Sequence, residues 1–113
     1  MQYLLLIYVP TDGTETAEHS AWMQYTQELQ DAGVMVGGDG LQGLDTAATV
    51  RVRSGETVVT DGPFAETKEM LGGYYLIDVD DLDAALGWAA KIPSVGFGSV
   101  EVRPVMVFDR AES

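Results

Sequence analysis

The first stretch of the chain is apolar on both of its alternating faces. Residues 2–9 place Tyr3, Leu5, Ile7 and Val9 on one side, and Leu4, Leu6 and Tyr8 on the other. An extended segment with this pattern is typical of a strand that is buried on both faces. The pattern therefore predicts a first β-strand with protein packed against each side.

Two segments have the spacing of amphipathic helices. The first follows the polar stretch TDGTETAEHS, ends at Gly33, and carries at helical spacing Trp22, Tyr25, Leu29 and Ala32. The second begins at aspartates that suit a helix N-terminus and stops at Pro93. Its apolar stripe consists of Leu82, Ala85, Leu86, Ala89 and Ile92. Each segment is predicted to be a helix that buries one face.

Shorter alternating segments predict the remaining strands. A short strand at 34–38 leads into a glycine-rich loop through Leu44, and further strands are expected at 74–79 and at about 99–108. Between them, ATVRVRSGETVVT alternates on either side of Ser54-Gly55, which is a hairpin signal. Asp61-Gly62-Pro63 then breaks the pairing, because proline cannot donate a ladder hydrogen bond. Pro104 indicates a bulge or an edge in the last strand.

The order of these elements predicts an α+β fold. Strand, helix, strand, inserted β-hairpin, strand, helix and strand, joined by right-handed crossovers, place both helices on one face of an antiparallel sheet. This is the ferredoxin-like βαββαβ arrangement, and it leaves the second face of the sheet bare. A second copy is expected to cover that face by packing sheet against sheet, which predicts a homodimer. Without a linker-like segment, residues 1–113 are expected to form a single domain.

Composition argues against several classes of partner. Eighteen acidic and six basic residues give a net charge of -12, so no binding to nucleic acid or to an anionic membrane is expected. Arg51 and Arg53 come closest to a basic patch and fall far short of one. The apolar start is too short to span a bilayer. The absence of cysteine excludes thiolate chemistry and fits a reducing, cytoplasmic location.

His19 is the only histidine of the chain and is our first candidate catalytic residue. An imidazole exchanges protons readily near neutral pH, so beside a carboxylate it could act as a general base. Asp61 is the second candidate, because it could orient His19 or bind a substrate hydroxyl. Structural alternatives stay open for both: His19 as a solvated residue at the start of a helix, and Asp61 as the cap of its own Gly-Pro turn.

The segment after the Asp-Gly-Pro turn supplies candidate ligand-binding residues. Lys68 could be the main cation for an anionic substrate if a cleft encloses it, or it could form solvated ion pairs with Glu66 and Glu69. Thr67 could donate its hydroxyl to a ligand or cap a short turn. Phe64 could stack on a ligand or anchor the loop in apolar surface. The sequence does not choose between these roles.

Tyr74 and Arg103 complete the set of candidate ligand-binding residues. Tyr74 could line a pocket because consecutive tyrosines face opposite sides of a strand, although Tyr74 and Tyr75 also suit a core or an interface. Arg103 could reach a carboxylate ligand or pair with an acidic neighbour across strands. One histidine and scattered carboxylates do not provide the clustered ligands of a transition-metal site. No metal and no cofactor are therefore expected.

The stretches TDGPFAETKEMLGGYYLIDV and GSVEVRP resemble the YCII-related group of dimeric α/β-barrel proteins, and specifically its DGPF branch. The resemblance runs from YLLLIY through AGVMVGG to EVRPV and so covers nearly the whole chain. It implies a ferredoxin-like subunit, a homodimer and a cleft between the helices and the sheet. Some members of the group are encoded beside, or fused to, extracytoplasmic-function sigma factors, which implies a sigma factor as a partner.

The resemblance also implies a catalytic role for His19. In YCII-like relatives a His-Asp pair is the proposed active site, with the histidine on the first helix and the aspartate in an Asp-Pro step after the second. Here Ile92 precedes Pro93, so Asp61 is our substitute for the missing carboxylate. Two functions are expected: a small dimeric enzyme or ligand-binding protein that acts on a small metabolite by acid-base chemistry, or a non-catalytic accessory module that binds a protein.

Overall fold

The computed structural model describes residues 1–62 and 68–108 and has the predicted α+β order of elements. Its strands are β1 (Gln2–Pro10), β2 (Met35–Gly40), β3 (Ala48–Arg53), β4 (Glu56–Asp61), β5 (Glu69–Asp78) and β6 (Ser99–Pro104). Its α-helices are α1 (His19–Asp31) and α2 (Leu82–Ala89), and a 3₁₀ turn spans Leu44–Thr46.

The principal sheet has the strand order β2-β5-β1-β6, and each neighbouring pair is antiparallel. Strand β1 therefore lies between β5 and β6, with a hydrogen-bonded neighbour on each edge. This order, with two helices packed on the sheet, is compatible with a ferredoxin-like fold. Strands β3 and β4 pair with each other in a separate two-stranded sheet.

The core lies between one face of the principal sheet and the two helices. The sheet contributes Tyr3, Leu5, Ile7, Tyr75 and Ile77, and the helical layer contributes Tyr25, Leu29, Ala85, Ala89 and Ile92. Leu5, Leu29 and Ile77 have no exposed surface. Complete burial of each such side chain stabilises the fold by about 1.5–3 kcal/mol, so this layer carries the hydrophobic contribution to folding.

Neither α1 nor α2 covers the second face of the principal sheet. On that face Leu4 lies beside Leu76, and Leu6 lies beside Tyr74, and all four side chains are half-buried. In the single chain this face of β1 has no cover from the helices, because both helices pack on the other side, and the predicted cover by a second copy stays a prediction. We call this surface the open sheet face.

The observed bounds of strands β2, β5 and β6 differ from the predicted ones. Strand β5 begins at Glu69, well before residue 74, because it continues to pair with β1 as far as Pro10. Strand β2 extends to Gly40, so part of the stretch expected to be a loop is a strand that pairs with β5. Strand β6 ends at Pro104 rather than near residue 108.

Helix α2 buries a narrower stripe than predicted. Ala85 and Ala89 face the core, whereas Leu82 and Leu86 are each 47% exposed. The small alanine side chains let the helix lie close to the sheet, and the two leucines then face solvent. Within the described ranges, no helix is long and apolar enough to cross a membrane.

Strands β3 and β4 form an exposed pair between β2 and β5 in the sequence. Their connection turns at Ser54 and Gly55, which have positive φ angles of 53° and 79°. A two-residue hairpin turn of type I′ requires positive φ at both positions. Val50 pairs with Val59 across the strands, and these side chains are 60% and 62% exposed. An apolar stripe of this pair therefore faces solvent in the single chain.

Candidate functional site

A cleft of about 580 Å³ lies between α1 and the β2–β5 side of the principal sheet, and we call it the α1 cleft. Its apolar lining includes Ile7, Val9, Trp22, Met35, Leu41 and Met70. The polar side chains on the cleft side are those of His19, Thr26 and Tyr75. Small-molecule sites in proteins typically have volumes of about 300–1,000 Å³ and place a few polar groups among apolar walls. The α1 cleft has both properties.

Glycines on the helix-facing side of β2 and β5 leave room for the α1 cleft. Gly73 pairs with Ile7 on β1 and with Gly40 on β2, so both glycines share the sheet face of the core residue Ile7. A Cβ atom at Gly73 would lie 2.8 Å from the Asp39 carbonyl oxygen, which is too close for any other residue. At Gly40, which lines the α1 cleft, a Cβ atom would meet nothing within 4 Å. The floor of the cleft is therefore bare backbone.

Tyr25 and Thr26 hold α1 in place above this floor. The Tyr25 hydroxyl donates to the Trp88 carbonyl oxygen at 2.8 Å, and the Tyr25 ring meets the Tyr75 ring edge to face, with centroids 5.3 Å apart. Thr26 Oγ1 lies 2.7 Å from the Tyr75 hydroxyl oxygen. Burial raises the pKa of Tyr25, and the neighbouring Tyr75 and Glu28 raise it further. Helix α1 is thus fixed both to β5 and to α2.

His19 is the first residue of α1 and lines the α1 cleft. Its side chain is exposed, as expected for a residue at the start of a helix. It also borders a shallower groove of about 330 Å³ along α1, together with Trp22 and Thr26. A molecule in the cleft can therefore contact His19 while part of the imidazole stays in contact with water.

Asp39 and Tyr74 lie in the strands that border the cleft, but their side chains lie on the open sheet face, because Tyr74 pairs with Leu6 and Asp39 pairs with Tyr74. The Tyr74 hydroxyl donates to Asp39 Oδ2 at 3.2 Å, and the two residues are partners in the pairing of β2 with β5. Tyr74 is among the residues predicted from the sequence, whereas Asp39 is not, because its glycine-rich segment is expected to be a loop.

Three of the predicted site residues do not line the α1 cleft. Asp61 is the exposed last residue of β4, opposite Ala48. The carbonyl oxygen of Lys68 accepts hydrogen bonds from the backbone N–H and the hydroxyl of Thr11, at 2.9 and 3.1 Å. Arg103 pairs with Leu4 and therefore lies on the open sheet face, away from the helices. Phe64 and Thr67 lie outside the described residues. The Tyr74 side chain also lies on the open sheet face, because Tyr74 pairs with Leu6. Of the predicted site residues in the described ranges, the structure therefore places the side chain of His19 at the α1 cleft.

The chemistry of the α1 cleft follows from these groups. His19 can take up or release a proton, and the hydroxyl oxygens of Thr26 and Tyr75 can accept hydrogen bonds. Among the described residues that line the cleft, none is lysine or arginine. The apolar and aromatic side chains supply most of the contact surface.

The chain matches the YCII-related domain family over residues 1–109. This range contains each strand and helix that borders the α1 cleft. The chain is also 52% identical, over 68 residues, to an uncharacterised protein of Rhizobium meliloti (strain 1021). That alignment covers 58% of this chain and 55% of the relative, so it spans about half the length of the curated relative.

Proposed function

Since the chain belongs to the YCII-related family, we propose that it binds a small metabolite in the α1 cleft and acts on it by acid-base chemistry. The observation that carries this proposal is the cleft of about 580 Å³ with His19 in its lining. The cleft combines apolar walls with a few polar groups, as small-molecule sites do. It is built mainly from α1, β2 and β5, which the fold holds together through Tyr25 and Tyr75.

We assign the proton transfer to His19. Imidazole is the side chain best suited to exchange protons near neutral pH, and His19 lines the cleft while it stays exposed to water. Asp61 is the proposed carboxylate partner, and it is supported by the Asp-Gly-Pro motif.

The subunits are proposed to form a homodimer through the open sheet face, as in a dimeric α/β barrel. Half-buried Leu4, Leu6 and Leu76 form an apolar strip on this face. Glu101 and Arg103 of β6 border the strip, since they pair with Leu6 and Leu4. An apolar centre with a polar rim is the usual anatomy of a stable interface.

Thermal-shift screening of a metabolite library tests the proposed cleft function. A compound that binds in the α1 cleft should raise the melting temperature and shift the indole NMR signal of Trp22, which lines the cleft. Trp88 is the internal control, because it packs against Tyr25 and does not line the cleft. If no compound of the library perturbs Trp22, the proposal is wrong for the chemistry that the library covers.

Substitutions then assign the roles within the cleft. His19→Ala should leave the melting temperature of the free protein nearly unchanged, because His19 is exposed, and it should abolish turnover of the compound or weaken its binding. Gln24→Ala is the control, since Gln24 is an exposed residue of α1 outside the cleft lining. Asp61→Asn should reproduce the loss, whereas Asp39→Asn should not, because the Asp39 side chain lies on the open sheet face. An unchanged response in His19→Ala would remove His19 from the site.

A second candidate function, the binding of a protein partner, is supported by the β3–β4 pair. Val50, Val52 and Val59 are 60%, 58% and 62% exposed, and exposed apolar surface often marks an interaction site. The resemblance suggests an extracytoplasmic-function sigma factor as that partner. Titration of a purified sigma factor of this type with wild type and with Val59→Lys tests the candidate. Equal binding by both proteins, or no binding by either, would reject it.

A further inference from the structure

Gly40 has no side chain at a position where the fold would accept one. Its φ angle is not positive, and a Cβ atom there would meet no described atom within 4 Å. Glycine weakens a strand, because it loses more conformational freedom on folding than other residues and packs no side chain. A glycine within a strand often marks a place that a ligand or another backbone approaches closely. Since no described part of the chain covers Gly40, this position is open to a ligand.

Gly40 belongs to a bare patch of β2 and β5 that lines the α1 cleft, and we call this patch the glycine floor. It consists of Gly38, Gly40, Gly72 and Gly73. Gly40 pairs with Gly73, and Gly38 pairs with Tyr75, so Gly38 and Gly40 share the sheet face of the core. A strand rises about 3.3 Å per residue, so the floor extends about 7 Å along β2, and it reaches across about 4.8 Å to β5. This flat area has the footprint of one aromatic ring.

Trp22 lines the same cleft from helix α1. His19, Trp22 and Thr26 line the cleft at spacings of three and four residues, which place them on one face of the helix. A flat ring between the Trp22 indole and the glycine floor would make contacts through both of its faces. Stacking of aromatic rings increases affinity by about two- to tenfold beyond the burial of apolar area. A saturated ring is thicker and has no π-system, so it gains less from this site.

The hydroxyl groups of Thr26 and Tyr75 can bind a polar substituent of such a ring. Their oxygens lie 2.7 Å apart, and both residues line the cleft. Each hydroxyl offers one donor and two acceptor positions, and the bond between them uses one donor and one acceptor position. The pair therefore keeps the capacity to bond a hydroxyl or carbonyl group of a ligand.

We infer that the α1 cleft binds a flat aromatic molecule with a small polar substituent, held between Trp22 and the glycine floor. This inference rests on the proposed function, because it names the ligand class of the same cleft. It makes Gly40 a specificity-determining position, since a side chain there would lift the ring away from the backbone.

Benzyl alcohol and cyclohexylmethanol test the inference, because both are uncharged, both carry a hydroxymethyl group, and only the first has a flat ring. Their dissociation constants are measured from the NMR shifts of the Gly72 and Gly73 amides and of the Trp22 indole, which line the cleft. Benzyl alcohol should bind about two- to tenfold more tightly. Burial of apolar surface alone would give the reverse order, because the saturated ring has more apolar surface.

Gly40→Ala and Trp22→Leu should each remove the preference for benzyl alcohol. The first substitution adds a methyl group to the floor, and the second keeps an apolar side chain without an aromatic face. Gly37→Ala is the matched control, because a Cβ atom there also meets nothing within 4 Å and Gly37 does not line the cleft. The two amides report binding in each variant, and melting temperatures show that it is folded. An unchanged preference in Gly40→Ala would overturn the role of the glycine floor.

The possible failures are distinguishable. Binding of cyclohexylmethanol as tight as that of benzyl alcohol would overturn the ligand class and leave the cleft as the binding site. If neither probe shifts the Gly73 amide at millimolar concentration, the inferred ligand class is wrong, and the library screen decides separately whether the cleft binds a metabolite at all.

Discussion

The hydroxyl oxygens of Thr26 and Tyr75 lie 2.7 Å apart and join helix α1 to strand β5 beside the α1 cleft. Tyr75→Phe and Thr26→Val each remove this hydrogen bond and should each lower the free energy of unfolding by about 0.5–1.5 kcal/mol. Because the two substitutions remove the same bond, the double variant should lose less than the sum of the two single losses. Urea unfolding of the four proteins measures the coupling. Additive losses would show that this bond does not stabilise the fold.

Tyr25 makes the stability of the protein sensitive to alkaline pH. Its pKa is raised in the folded state by burial, whereas the ordinary tyrosine value in an unfolded chain is about 10. The contribution of Tyr25 to stability is therefore complete below about pH 10 and is lost as the pH rises from that value toward the raised pKa. Tyr25→Phe should lose less stability than wild type between about pH 9 and 11, measured by urea unfolding. Identical pH dependence in the two proteins would contradict this assignment.

Gly40→Val should close the α1 cleft without disrupting the sheet. A Cβ atom at Gly40 meets nothing within 4 Å, and valine suits a strand better than glycine does. Ligands of the cleft should therefore lose affinity while the melting temperature stays the same or rises. Gly37→Val is the matched control, because a Cβ atom there also meets nothing within 4 Å and Gly37 does not line the cleft. Unaltered ligand binding by Gly40→Val would place the ligand elsewhere.

Gly98 is required where the connection after α2 passes β1. A Cβ atom at this position would collide with the backbone carbonyl oxygen of Tyr8, which cannot rotate away as a side chain would. Gly98→Ala should destabilise the protein by about 1–3 kcal/mol or more, as overpacking does. Gly96→Ala, where a Cβ atom meets nothing within 4 Å, should stay within about 0.5 kcal/mol of wild type. Equal melting temperatures for the two variants would contradict the collision.

Leu6→Glu tests the proposed homodimer. Leu6 is half-buried on the open sheet face, so a charge there would have to be buried unpaired if a second sheet packed against it. Light scattering should give a dimer mass for wild type and a monomer mass for Leu6→Glu. Leu86→Glu is the control, because Leu86 is 47% exposed on α2 and should leave the dimer intact. A folded wild-type monomer at micromolar concentration would refute the proposal.

The sequence by itself determined which segments form strands and helices, because these elements depend on local patterns. The alternation in residues 2–9 and the spacing of Tyr25 and Leu29 predict β1 and α1, and the structure confirms both elements. Membership of the YCII-related family was also readable from the residues, because the motif around Asp61 is long. Bounds were predicted less well at the glycines, since backbone pairing with β5 rather than local propensity extends β2 to Gly40.

Only the tertiary structure decided which residues share the α1 cleft. Thr26 and Tyr75 are far apart in the sequence, and they meet beside the cleft because α1 packs over β5. The cleft exists because Gly40 and Gly73 meet on the side that faces α1, where the absence of two side chains leaves space. Likewise, the burial of Ala85 instead of Leu86 on α2 follows from how closely the helix approaches the sheet. These relationships depend on contacts between distant segments, and hydrophobic periodicity along one segment carries no information about such contacts.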